Sequence, residues 1–295
     1  MPSFQARLIE KILQWQAYGW AKGSIPQQRA RQEKRARFIK LPPQVHWQEM
    51  VMGGVAGELL QPAEQKDGLI LYLHGGAYAL GSSRVHREFL SRLAAACQRS
   101  VLAFNYRLAP EHPFPAALQD ALAAYGGLRQ QGAQPAKIVI GGDSAGGGLA
   151  LATLLALRAA GEELPACAFC LSPWVNLSAT PSPAHPIPDP LLTPDLLAAY
   201  ARLYAQAADP CNPLISPIFA DLSGLPPLLI QVGTHEILLP QVTQLHENAR
   251  RAGVDVTLEQ WEGLFHVFQI VPYLPEGERS LRQIAEFVEG KLAGA

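Results

Sequence analysis

The sequence predicts an α/β fold: a mostly parallel central sheet flanked by helices, with a helical cap. Three observations carry that prediction. Short β-branched and apolar runs recur at 69–73, 101–104, 137–140, 168–171, 228–232 and 254–260, with stretches of helical length between them, which is the pattern of βαβ units. Two of the runs end in glycine-rich turns, His74-Gly75-Gly76 and Gly142-Asp143-Ser144-Ala145-Gly146. Two further segments, residues 1–45 and 178–223, break the alternation.

In chain order, Phe4, Leu8, Ile9, Ile12 and Trp15 stand at helical spacing and predict an amphipathic helix. Arg29, Arg31, Lys34, Arg35, Arg37 and Lys40 follow as a basic stretch broken by Glu33, read as a solvated surface segment. A leading strand is expected over 51–60, pairing antiparallel. The run Lys137-Ile138-Val139-Ile140 is a buried strand that feeds the Gly142–Gly146 turn, and 149–158 continues as a helix rich in small and apolar residues. Cys167 and Cys170 form a C-x-x-C inside an apolar strand with no second ligand pair at zinc spacing, so they read as core residues. Residues 178–223 are proline-rich, with a helix at 194–206 behind a Thr193 N-cap. An insertion at this point of a parallel sheet lies over the crevice where ligands bind. The expected organisation is therefore a cap from 1–45 and 178–223, and a core in two parts, 46–177 and 224–295.

Composition narrows the function classes. With 48% hydrophobic residues in 295, the chain can bury a full core, and its net charge of −1 gives no reason to expect nucleic acid. Four cysteines give no disulfide scaffold. No apolar run reaches the roughly 18 residues of a membrane span, and the N-terminus lacks a signal-peptide pattern. A cytoplasmic protein without stable membrane insertion is expected.

The turns carry the chemistry. G-x-S-x-G is a nucleophile elbow, a strained strand-to-helix turn that exposes a serine Oγ above the sheet. Its helix N-terminus adds a partial positive charge. His74-Gly75-Gly76 offers backbone N–H groups for the oxyanion of a tetrahedral intermediate. Serine needs a base, and the base an orienting acid. Of eight histidines only His266 follows the last strong strand, whereas His246 belongs to the preceding helix. Glu236 is the sole carboxylate in the loop after 228–232, since Asp221 lies before that strand and Asp255 within the next. Water or another group orienting His266 is the alternative.

With those residues the chain resembles the bacterial esterases of the hormone-sensitive-lipase family of α/β-hydrolases. The likeness spans about residues 65–290 and includes Tyr106-Arg107-Leu108-Ala109-Pro110-Glu111, Phe114-Pro115-Ala116, Leu214-Ile215-Ser216-Pro217 and Gly224-Leu225-Pro226-Pro227. It implies a serine carboxylesterase with no metal or organic cofactor, acting on short- to medium-chain acyl esters, with Ser144 as nucleophile, Glu236 as acid and His266 as base. It further implies oxyanion donors at the N–H groups of Gly75, Gly76 and Ala145, and a homodimer through an edge strand. Tyr78, Tyr200, Leu203 and Tyr204 are the candidates for lining the substrate pocket. Three positions depart from the family pattern: Ala77 replaces a glycine, Asn176 an aspartate and Pro240 an aspartate. Lipase or amidase action on the same triad, or an inactive ligand-binding protein on the same scaffold, are the competing readings.

Overall fold

The structure is a computed structural model and describes residues 1–16, 19–37, 41–178 and 189–293. Eight strands form one sheet: β1 (Val45–Met52), β2 (Val55–Pro62), β3 (Leu69–Leu73), β4 (Ser100–Phe104), β5 (Ile138–Asp143), β6 (Cys167–Leu171), β7 (Leu228–His235) and β8 (Val256–Phe265). Their spatial order is β1-β2-β4-β3-β5-β6-β7-β8. β2 runs antiparallel to β1 and β4, and from β4 to β8 every neighbouring pair is parallel.

The leading strand differs from the sequence expectation. Residues 51–60 are not one strand but the end of β1, a turn at Gly53 (φ 57°) and Gly54 (φ 81°), and most of β2, which together make a hairpin. Positive φ at both central positions is what a two-residue turn with the twist of a hairpin requires, and glycine supplies it without strain. The antiparallel pairing holds. The other six strands lie where expected, and β5, β7 and β8 run on by three to five residues.

Alternation along the strands sorts the core into two layers. Leu71, Leu73, Ile138 and Ile140 face one layer, packed by α4 (Ala116–Gln130), α5 (Ala145–Ala159) and α7 (Leu239–Arg251). Ile70, Tyr72 and Val139 face the other, packed by α3 (Ser83–Cys97) and α8 (Pro275–Ala293). Cys167 and Cys170, three apart on β6, fall in different layers as free buried thiols, so they share no ligand.

α1 (Phe4–Trp15), α2 (Ile25–Ala36) and α6 (Pro194–Ala205) belong to the two segments outside the alternation. Thr193 caps α6, its hydroxyl accepting from the Leu196 N–H at 3.1 Å. α1 turns a different face to the protein than its bulkiest residues suggest. Ala6 is buried and Ile9 and Leu13 pack beside Trp261 and Phe265, while Phe4 (70%) and Trp15 (85%) stand exposed with Leu8 and Ile12. The basic stretch is not wholly solvated either. Arg29 donates to the carbonyls of Ala79 (2.8 Å) and Ala109 (2.7 Å) and pairs with Glu111. Lys40, and 179–188 of the proline-rich segment, lie outside the described residues. Among those described, no helix is long and apolar enough to cross a membrane.

Candidate active site

Ser144 stands between the last residue of β5 and the first of α5, with φ 51° and ψ −120°. That conformation is costly for a residue with a Cβ. It is held by three backbone bonds: Ser144 N–H to Leu171 O, and Gly148 and Trp174 N–H to Ser144 O, at 2.8–3.1 Å. The turn also presses α5 against β3. A Cβ at Gly146 would sit 2.0 Å from Leu73 O and 2.5 Å from His74 O, so only glycine fits there.

His266 follows β8 and Glu236 follows β7. His266 Nδ1 lies 2.7 Å from Glu236 Oε2, and Nε2 lies 3.0 Å from Ser144 Oγ. With Nδ1–H donated to the carboxylate, Nε2 is left as the acceptor for the serine hydroxyl. Glu236 is fully buried. Its second oxygen accepts from Ser172 O–H (2.7 Å) and Gly233 N–H (2.6 Å). Burial disfavours a charged His266 ring, but the hydrogen bond and charge of Glu236, with Asp189 and Asp143 behind, outweigh it and raise its pKa above 6.5. Pro240 is accounted for as well: it opens α7, where a missing N–H leaves no helical bond unmade. Ser172, which holds Glu236, sits in the Ser172-Pro173-Trp174 segment but has no catalytic spacing of its own by which to be found.

One of the three expected oxyanion donors, Gly75, is already engaged. Gly75 N–H is not open, because it donates to Asp143 Oδ1 at 2.9 Å. Asp143 also accepts from Tyr72 O–H (2.8 Å) and lies 3.5 Å from His86 Nε2. Burial alone would raise this carboxyl; His86 and these hydrogen bonds hold it below its ordinary value. Gly76 and Ala77 come next in the loop and Ala145 begins α5. The N–H groups of these three make no hydrogen bond among the described residues. The available set is therefore Gly76, Ala77 and Ala145, with Ala77 held at φ 53°. His74 braces the turn: its ring stacks on Tyr106 at 4.3 Å, and Nδ1 lies 2.7 Å from Gly75 O. Burial, reinforced by His86, pushes His74 down to about 3, so the ring is neutral.

Above Ser144 opens a cavity of about 310 Å³ with largely apolar walls. Trp174 and Phe265 come from the core, Leu13 from α1, and Leu191, Leu196 and Tyr200 from α6 and the turn before it. Of the four pocket candidates only Tyr200 lines it. Tyr78 and Tyr204 stack on each other at 3.7 Å and 5° within the core, and Leu203 packs against that core from the side. Spacing on α6 identified its apolar face but not which part of that face meets the cavity. A larger cavity of about 510 Å³, lined by Glu33, Glu49, Arg84 and Asn105 among others, holds none of this machinery.

The chain is similar to known hydrolases in sequence and in fold. The model of a family described as having the alpha/beta hydrolase fold matches residues 70–270. An acetyl-hydrolase of Streptomyces hygroscopicus is 46% identical over 245 residues, 81% of each chain. An esterase of Acinetobacter venetianus is 36% identical over 259 residues, 86% of each chain. Among solved structures, an esterase from the bacterial hormone-sensitive lipase family superposes with a TM-score of 0.92 at 38% identity, covering 99% of both chains. The esterase EstE5 gives 0.94 at 37%, again over 99% of both. Such likeness runs over nearly the whole of each chain, and on it the chain belongs to the bacterial hormone-sensitive-lipase family of α/β-hydrolase-fold esterases.

Proposed function

We propose that the protein hydrolyses short- to medium-chain carboxylic esters by two-step acyl transfer at Ser144. The observation that carries this reading is the unbroken line from Ser144 Oγ through His266 to Glu236, at 3.0 and 2.7 Å, beside three unengaged backbone N–H groups. His266 takes the serine proton as Oγ attacks the ester carbonyl, and the oxyanion forms against the N–H groups of Gly76, Ala77 and Ala145. The alcohol leaves with the proton from His266. Water then repeats the sequence on the acyl-enzyme, returning the acid and free Ser144. Glu236 keeps the imidazole in the required tautomer and stabilises the imidazolium without itself taking the proton.

Space supports the chain length proposed. A cavity of about 310 Å³ is at the small end of the roughly 300–1,000 Å³ common for ligand sites. Hydrolysis of p-nitrophenyl esters from acetate to palmitate tests this, with wild type beside Ser144→Ala and Glu236→Ala. The expected rates peak at short chains, vanish in the first variant and fall severely in the second. Substantial activity in Ser144→Ala would overturn the mechanism; activity surviving in Glu236→Ala would reassign the acid.

One observation favours a second reading, lipase action at a lipid–water interface. Phe4, Leu8, Ile12 and Trp15 expose an apolar stripe on α1, whose Leu13 reaches the cavity wall. A rate that jumps as a tributyrin solution passes saturation would support it, and smooth saturation below that point would support soluble esters.

A further inference from the structure

Asp189 stands at the foot of the cap, four residues before the Thr193 cap of α6, and is 4% exposed. Both of its oxygens are engaged. Oδ1 accepts from the N–H groups of Leu191 (2.7 Å) and Leu192 (2.9 Å), closing a tight turn in its own segment. Oδ2 reaches across to Ile237 N–H at 2.9 Å, the residue directly after Glu236. The turn it closes presents Leu191 and Leu192 to the cavity, and the loop it reaches carries the carboxylate that orients His266. One side chain therefore touches both the wall of the substrate pocket and the backbone of the acid loop.

We propose that Asp189 is a positioning residue that fixes the cap's pocket wall and the Glu236 loop relative to each other, so that substrate fit and imidazole orientation are set together. It reacts with nothing itself. The assignment rests on the triad reading given above. Electrostatics adds a second channel to the geometric one. The carboxylates near the His266 ring come from three elements: Glu236 after β7, Asp143 at the end of β5, and Asp189 from the cap. Each stabilises the imidazolium. Burial, with Glu236 beside it, holds the Asp189 carboxyl above its ordinary value, while His266 and the N–H groups of Ile237 and Leu191 pull the other way and offset part of the cost of its charged form inside the protein.

Asp189→Asn separates the two contacts. The Asn Oδ1 can still accept from Leu191 and Leu192, but its NH2 then confronts the Ile237 N–H, donor against donor. The negative charge is also gone. kcat/KM on p-nitrophenyl butyrate is expected to fall about tenfold to a hundredfold, the scale of a small misplacement remote from the reacting atoms. KM should rise as kcat falls, because pocket wall and acid loop move apart. With one anion fewer near the imidazolium, the acid limb of the kcat/KM profile should move to lower pH. Asp189→Glu keeps the charge and loses the spacing: its acid limb should stay with wild type while KM rises.

Thermal melting of both variants accompanies the kinetics, and Asp189→Glu supplies the test if Asp189→Asn does not fold. A folded Asp189→Asn enzyme with unchanged acid limb and KM would overturn the proposal, whether or not its melting temperature drops. An Asp189→Glu enzyme with wild-type KM would overturn it as well. Failure of the triad reading is recognised separately, by wild type that does not hydrolyse the ester or by Ser144→Ala that does.

Discussion

Glu236 divides its carboxylate between two tasks. One oxygen takes the His266 N–H, while the other is fastened by Ser172 and Gly233, so the acid is aimed as well as charged. Glu236→Gln keeps the shape and removes the charge, and its amide can present a donor to the ring and favour the wrong tautomer. We expect a loss in kcat of roughly 10⁴, the cost of that fault in serine triads. In the mechanism proposed above the neutral His266 imidazole is the active form, and its pKa lies above 6.5. kcat/KM should therefore fall as pH drops through a point above 6.5, and the Gln variant should shift that limb downward. A pH–rate profile of both proteins checks the sign. At the elbow, Gly146→Ala places a methyl group 2.0 Å from Leu73 O. Backbone must move to admit it, so loss of activity together with a lower melting temperature is expected. These residues were legible beforehand because the elbow needs its glycines next to the serine in sequence. Of the oxyanion donors, Gly76 and Ala145 were legible in the same way, and only the place of Gly75 was not. Whether Gly75 N–H is open depends on Asp143, which arrives from 68 residues away, and a local motif holds no trace of that.

At the scale of elements, α2 matters more to the site than its charged surface suggests. Arg29 holds Ala79 O, Gln32 accepts from Gly81 N–H and Glu33 accepts from Ser82 O–H, so one helix face grips the end of the loop that carries Gly76 and Ala77. The same helix meets α6 through Tyr200 O–H, which donates to the buried Gln28 at 2.7 Å. Tyr200→Phe takes from that amide oxygen its hydroxyl donor. A loss of about 1–3 kcal/mol is expected, read as a lower denaturation midpoint in urea, with the rate on acetate esters less affected than that on longer ones. Periodicity predicted α1 and α6 as helices, yet it ranked their faces by bulk. α1 instead packs through Ala6, Ile9 and Leu13, and α6 sends Tyr200 to the cavity but Tyr204 to the core. Helical spacing says which residues share a face; the neighbour that covers the face is a tertiary fact.

Across the whole molecule, the hairpin at one end of the sheet is fastened by a buried ion pair. Arg87 of α3 donates twice to Glu58 of β2, at 2.7 and 2.6 Å, and its guanidinium lies 3.5 Å over the Trp47 ring on β1. Arg87→Ala strands a carboxylate that is 4% exposed, and a loss of about 3–5 kcal/mol is expected. Replacing both partners by apolar residues should cost less than that single change, and urea unfolding of the single and double variants tests the order. At the other end of the sheet lies the site, assembled from four strands in a row: Ser144 after β5, Ser172 after β6, Glu236 after β7 and His266 after β8. The strands were readable from their apolar runs, as was the order of Ser144, Glu236 and His266 along the chain. That order has a consequence in time. On the roles proposed above, a chain emerging from the ribosome holds its nucleophile more than a hundred residues before its base, and it is expected to stay chemically silent until β8 has docked. In refolding, ester hydrolysis should trail the return of the far-ultraviolet signal, which makes a chromogenic ester a clock for the closing step of its own enzyme's folding.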